Sequence, residues 1–214
     1  MDYYIYISDQ KVDMLASQIA EKRLRAIARR LEISVTAPWL PLSATYRPGD
    51  PAPADEQRIN RLRLVREAMD PATVGDLHSS GPWIEGCLDM RWGFVESDHA
   101  AVWFLSAEQG TTVVMGGSEK HLLGGRDVVE QPHHAYSLLP MLSRALIAHA
   151  ESVSEEHEEP PPNVFRAALV LARTAAGPHE RLRFLARKLA VGSTEDGRVV
   201  LGTPLYVELA SSRD

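Results

Sequence analysis

Trp83-Ile84-Glu85-Gly86-Cys87-Leu88-Asp89-Met90-Arg91-Trp92-Gly93-Phe94 decides the fold of this chain. Ile84, Gly86, Leu88, Met90, Trp92 and Phe94 take every second position, with Glu85, Cys87, Asp89, Arg91 and Gly93 between them. A helix would repeat every 3.6 residues, so this period of two predicts a long strand with one apolar face. Downstream, Ser97-Asp98-His99 reads as a turn into a strand over Ala101–Ser106, and Glu108-Gln109-Gly110 as a turn into another over Thr111–Met115. The three make an antiparallel meander.

Upstream, Asp2–Ser8 (DYYIYIS) is a β-branched and aromatic run that predicts a strand buried on both faces and central in its sheet. Val12, Leu15, Ile19, Leu24, Ile27, Ala28 and Leu31 then recur at helical spacing, predicting one or two amphipathic helices. Glu32–Ala37 alternates enough for a short strand, and five prolines from Pro38 to Pro53 mark an irregular loop. Asp55 begins another helix with its stripe at Ile59, Leu62, Val65 and Met69, and Arg58, Arg61, Arg63 and Arg66 on what reads as a solvated face. Asp70-Pro71 stops it.

Ser137–Ala150, Val164–Thr174 and Glu180–Val191 read as helices, and Val199–Leu209 as a final strand around Pro204 that returns to the sheet. The acidic, proline-terminated segment Glu151–Asn163 is too charged to pack and predicts an exposed loop. The 51 residues after it would make a marginal core alone, and their last strand needs a partner. The expected architecture is therefore one α+β domain over residues 1–214: a mostly antiparallel sheet of about five strands, packed by amphipathic helices.

Composition narrows the function. The chain has 214 residues, is 44% hydrophobic and carries a net charge of −6, which gives no general attraction to a phosphate backbone and argues against nucleic acid as a partner. Its longest apolar stretch, near Ala135–Ala150, is broken by Pro140, Arg144 and His149, so no membrane span is expected. Cys87, the single cysteine, cannot form an internal disulfide, and no secretory leader is visible; the expected compartment is the cytoplasm. His121, His133, His134, His157 and Cys87 lack paired-ligand spacing, so neither a metal nor a cofactor is expected.

Three places could carry chemistry. Gly116-Gly117-Ser118-Glu119-Lys120-His121 follows a strand, where glycines at positive φ could aim N–H groups at an anion, with Ser118 capping a turn and Lys120 adding charge. The structural alternative is a tight turn. Ser8-Asp9-Gln10-Lys11 ends the first strand, and its plain reading is that Ser8 or Asp9 caps the next helix while Lys11 points to water. Were the two segments to meet, each would bring a hydroxyl, an acid and an ammonium to one place. Arg91 is a cation in mid-strand, solvated or cross-paired unless that face is covered.

Tyr4-Ile5-Tyr6-Ile7-Ser8-Asp9 with Lys11-Val12, Met90-Arg91-Trp92-Gly93, Gly116-Gly117-Ser118 with Lys120-His121, and Pro204-Leu205-Tyr206-Val207 together resemble an uncharacterised bacterial family carried as a domain of unknown function. The resemblance spans nearly the whole chain. It implies a single module, a loose association with bacterial conflict-system neighbourhoods, and no assigned catalytic residues. The expected function is a non-catalytic ligand-sensing or adaptor module that binds an anionic or phosphorylated small molecule at Gly116, Gly117, Ser118, Lys120 and His121, with Ser8, Lys11 and Arg91 contributing. Two alternatives stand beside it. One is a phosphoester- or nucleotide-directed enzyme with His121 as general acid or base and Lys120 steadying charge; the other is a protein-interaction domain without a small-molecule ligand.

Overall fold

The computed structural model describes residues 3–32, 54–95, 101–108, 110–124, 139–153 and 163–210. Its strands are β1 (Tyr3–Ile7), β2 (Val74–Gly75), β3 (Trp83–Val95), β4 (Ala101–Glu108), β5 (Thr111–Ser118), β6 (His179–Thr194) and β7 (Gly197–Leu209). The helices are α1 (Asp9–Gln18), α2 (Glu21–Arg30), α3 (Ala54–Ala68), α4 (Leu139–Val153) and α5 (Val164–Thr174). The strand expected over Glu32–Ala37, the turn at Ser97–His99, His133, His134 and His157 lie outside the described residues, apart from Glu32 itself.

The long alternating strand is β3, and it meets β4 and β4 meets β5 antiparallel, as the meander requires. β3 also pairs antiparallel with β6, β6 with β7, and β7 runs parallel to β5. The path β3-β4-β5-β7-β6 thus closes into a five-stranded barrel. Strict alternation of direction cannot close a ring with an odd number of strands, so one parallel pair is forced, and β5–β7 is that pair. β2 adds a second parallel pairing outside the ring. The sheet is therefore mixed rather than purely antiparallel.

Inside the barrel pack Ile84, Met90, Val102, Phe104, Val113, Met115, Leu182, Phe184, Val200 and Val207. α4 and α5 cover one outer face through Leu142, Leu146, Ala167, Ala168 and Leu171 against Trp103, Leu105, Val114, Val199 and Leu201. α1 and α3 cover another through Val12, Ala16, Leu62 and Val65. α2 packs on α3 through Leu24, Ile27 and Ala28 against Leu64 and Ala68. Among the described residues no helix is long and apolar enough to cross a membrane.

Two expectations are corrected. Glu180–Val191 is not a helix but the middle of β6. Its Leu, Arg, Ala and Lys content favours a helix locally, and pairing along two neighbours overrides that preference. Register shifts at Leu185/Ala186 and Lys188/Ala190 also break the alternation that would have betrayed the strand. Asp2–Ser8 does contain a strand, but β1 lies at the edge rather than the centre: β7 is its one strand partner, with a single bridge from Tyr6 to Leu122. Tyr4, Ile5, Tyr6 and Ile7 are buried because helices and the turn after β5 cover them.

Gly116 and Gly117 lie within β5, opposite Trp103 and Val102, and neither has positive φ. At Gly117 the lack of a side chain is required for a different reason: a Cβ would stand 2.4 Å from the Tyr6 hydroxyl. Gly117→Ala should therefore destabilise the fold by about 1–3 kcal/mol through overpacking, read as a lower urea midpoint; an unchanged midpoint would mean that the Tyr6 ring is not wedged there.

Candidate functional site

β1 ends at Ile7, and the chain turns at Ser8 directly into α1. The Ser8 N–H donates to the Leu205 carbonyl at 2.8 Å, which anchors the start of α1 to β7. After β5, a single tight turn over Glu119–His121 brings the chain back along β1, where the Leu123 N–H donates to the Ile5 carbonyl at 2.9 Å. The two sequence segments singled out above therefore do meet.

Arg58 of α3 holds the junction together. Its guanidinium donates to the carbonyls of Ile7 and His121, each at 2.9 Å, to that of Leu122 at 3.4 Å, and pairs with Asp9 at 3.0 Å and Asp55 at 3.3 Å. Arg61, one turn on, pairs with Asp9 at 2.8 Å and Asp13 at 3.1 Å. Asp9 is drawn in three directions, since the His121 Nδ1 also lies 3.5 Å from it. Burial pushes the Asp9 carboxyl up, but His121, Arg58 and Arg61 outweigh this and hold it below its ordinary value. Burial pulls His121 below its ordinary value, with Lys11 and Lys120 adding to the effect against Asp9.

Lys11 is the unusual member. It is 7% exposed, and its Nζ folds back to donate to the Ser8 Oγ at 3.2 Å. Ser8 is the residue before the first turn of α1 and is itself 1% exposed. No side chain caps that turn, so its N–H groups keep their partial positive charge. The ammonium thus sits at the positive end of its own helix, and among the described residues no carboxylate pairs with it. Burial, with a contribution from Arg187, lowers its pKa from 10.5 to about 7. Tyr6 completes the cluster: its ring meets Phe104 and His121 edge-on, and its buried hydroxyl borders Ser8 and the Ser118 backbone without a hydrogen bond of normal geometry. Burial raises the Tyr6 pKa despite those neighbours.

The structure thus gathers Ser8, Lys11, Ser118 and His121 and separates the rest. Lys120 is exposed, and Gly116 and Gly117 contribute strand backbone rather than a nest. Arg91 shares no partner with the cluster; it donates to the Ala175 carbonyl at 3.3 Å and borders a cavity of about 300 Å³ with Asp89, Glu108 and His179. Cys87 is a free, half-buried thiol on the wall of another cavity. Ser8 does not cap α1, Ser118 does not cap its turn, and Lys11 does not reach water. Arg58 and Arg61 do not belong to a solvated face, with side chains only 14% and 16% exposed. The available sign was the i, i+3 pair Arg58/Arg61 opposite the i, i+4 pair Asp9/Asp13. Among the described residues no group of three or more His, Cys, Asp or Glu could hold a metal.

A mixed five-stranded barrel with an appended edge strand, and a buried lysine where that strand enters a helix, define the class of protein. The chain belongs to a family of unknown function, DUF7019, whose model matches residues 2–211. No curated protein and no solved structure matches it.

Unfolded, Lys11 holds its proton up to about pH 10, whereas the folded protein releases it near 7. Between those values the unfolded state carries the extra proton, so this residue makes stability rise with pH; its penalty is full below 7 and fades towards 10. Lys11→Met should be more stable than the parent at pH 6, with the difference shrinking by up to roughly 1.4 kcal/mol per pH unit above 7. Urea titrations of both proteins from pH 6 to 9 check this, and a pH-independent difference would count against a buried, neutral Lys11.

Proposed function

We propose that the chain is a ligand-binding module that accepts an anionic group, a phosphate or carboxylate, where β1 runs into α1. One observation carries the reading: the Lys11 amine, buried at the uncapped start of α1, has the Ser8 hydroxyl as its partner and, among the described residues, no paired carboxylate. A helix N-terminus, a hydroxyl and an ammonium are three donors converging on one point, and an anion there would satisfy all of them. Asp9 does not fill this role, because Arg58, Arg61 and His121 already engage it. An arriving anion would favour the charged form of Lys11, so binding takes up a proton and weakens as pH rises past 7.

A second reading rests on the same 3.2 Å contact: a neutral amine beside a serine hydroxyl is a base beside a nucleophile. It differs from the reading based on His121 and Lys120, since Lys120 is exposed and His121 is turned to Asp9.

The test is thermal stability across inorganic phosphate, small carboxylates, nucleotides and phosphometabolites at pH 6 and pH 8. A ligand at a hundred times its Kd stabilises by about 2.7 kcal/mol. The expected result is a rise in Tm for at least one anion, larger at pH 6, lost in Lys11→Met and kept in Lys120→Ala. A rise lost in Lys120→Ala but kept in Lys11→Met would move the site to the exposed turn, and no rise with any anion would remove the reading.

A further inference from the structure

We infer that Lys11 is a carbamylation site, and that the anion formed at the start of α1 is the carbamate made by carbon dioxide on its Nζ. This rests on the anion-accepting reading above and names the chemistry of its occupant. Ser8 is 1% and Lys11 7% exposed, and Tyr6 on the inner side is fully buried. Carbon dioxide is small and uncharged, and it enters without the desolvation cost that a phosphate or carboxylate would meet on the way in.

The reaction needs an unprotonated amine. The surroundings keep Lys11 in that form: burial comes first and the Arg187 charge second, the positive end of its own helix also opposes the ammonium, and among the described residues no carboxylate pairs with it. The Nζ lone pair attacks the carbon of carbon dioxide, an N–C bond forms, one C=O π bond becomes a C–O⁻, and the nitrogen loses one proton to solvent. No oxidant or reductant is involved. The product exchanges a cation that the site disfavours for an anion that it favours. The donors already in place are the uncapped first-turn N–H groups of α1 and the Ser8 hydroxyl. The Tyr6 hydroxyl, buried beside Ser8 without a hydrogen bond of normal geometry, is a further donor next to that hydroxyl. Carboxylates, where they pair a lysine, would block this chemistry; here Asp9 is held away by Arg58, Arg61 and His121.

The charged groups that act on or feel the amine are Arg187 and His121, while Asp9, Arg58, Lys120 and Tyr6 surround His121 and Ser8. Lys11 itself is the group whose proton limits the reaction. Carbamate occupancy should therefore rise between pH 6 and pH 8, opposite to the pH preference of an added anion.

The experiment equilibrates the full-length protein with ¹³C-bicarbonate at pH 6 and pH 8, traps carbamates with triethyloxonium, and maps them by peptide mass spectrometry. The labelled adduct is expected on Lys11 at an occupancy about tenfold or more above that on the exposed Lys120 in the same digest, because the Lys11 amine, with a pKa of about 7, is mostly unprotonated at pH 8. It should be absent in Lys11→Arg, which keeps the charge and bulk but cannot form the product. Far-ultraviolet circular dichroism confirms that the variant folds. Equal labelling of Lys11 and Lys120, or none on Lys11, overturns the inference. If phosphate or a carboxylate still raises Tm in that event, the anion-binding reading stands alone; if neither effect is seen, both fall.

Discussion

Arg58 is the constraint on which the site depends. One guanidinium joins the last carbonyl of β1, two carbonyls of the turn after β5 and the carboxylates of Asp9 and Asp55, so three separate parts of the chain are fixed by a single planar group. Leaving such buried carbonyls without their partner would cost about 1–3 kcal/mol each. A lysine could not replace it, because one ammonium lacks the fork that reaches several acceptors in fixed directions. By tying Asp9 to itself and to Arg61, the arginine also engages the carboxylate two residues before Lys11.

What remains is an electrostatic imbalance. Asp9, Arg58 and Arg61 satisfy one another at the rim, while one turn inwards Lys11 has a hydroxyl and a helix end of the wrong sign. Burying an amine in this way costs stability, and a purely structural role would be served better by an apolar residue of the same length. That cost is the physical reason for locating function here rather than at Arg91, which is exposed and already donates to a backbone carbonyl.

The sequence showed much of the frame and half of the site. Trp83–Phe94 was readable because its faces differ along the full strand, and the meander followed from it. Closure of the barrel was not readable, since it depends on β7 pairing with β5 across a separation of more than eighty residues and on β6 being a strand. Arg-Leu-Arg-Phe-Leu-Ala-Arg-Lys-Leu-Ala carries helix-forming residues whose strand alternation is interrupted by two register shifts. At the site, Ser8, Lys11 and His121 were marked by position and type. Their arrangement was hidden because a serine before a helix ordinarily caps it, and a lysine in the first turn ordinarily reaches water. Arg58 was indistinguishable from its neighbours Arg63 and Arg66 on a helix whose arginines lie off the apolar stripe in sequence. The partner that sets it apart, Asp9, is 49 positions away.

The central claim is that the folded protein holds Lys11 as a neutral amine near pH 7, and the most direct test is to titrate that one residue. Heteronuclear NMR of the Lys11 side chain, assigned by comparison with Lys11→Arg, follows its ¹³Cε and ¹⁵Nζ shifts from pH 5 to pH 11 while the protein stays folded. The account predicts a midpoint near 7. A midpoint of about 10, the ordinary value for a lysine, would show a solvated ammonium and contradict both the anion site and the carbamate built upon it.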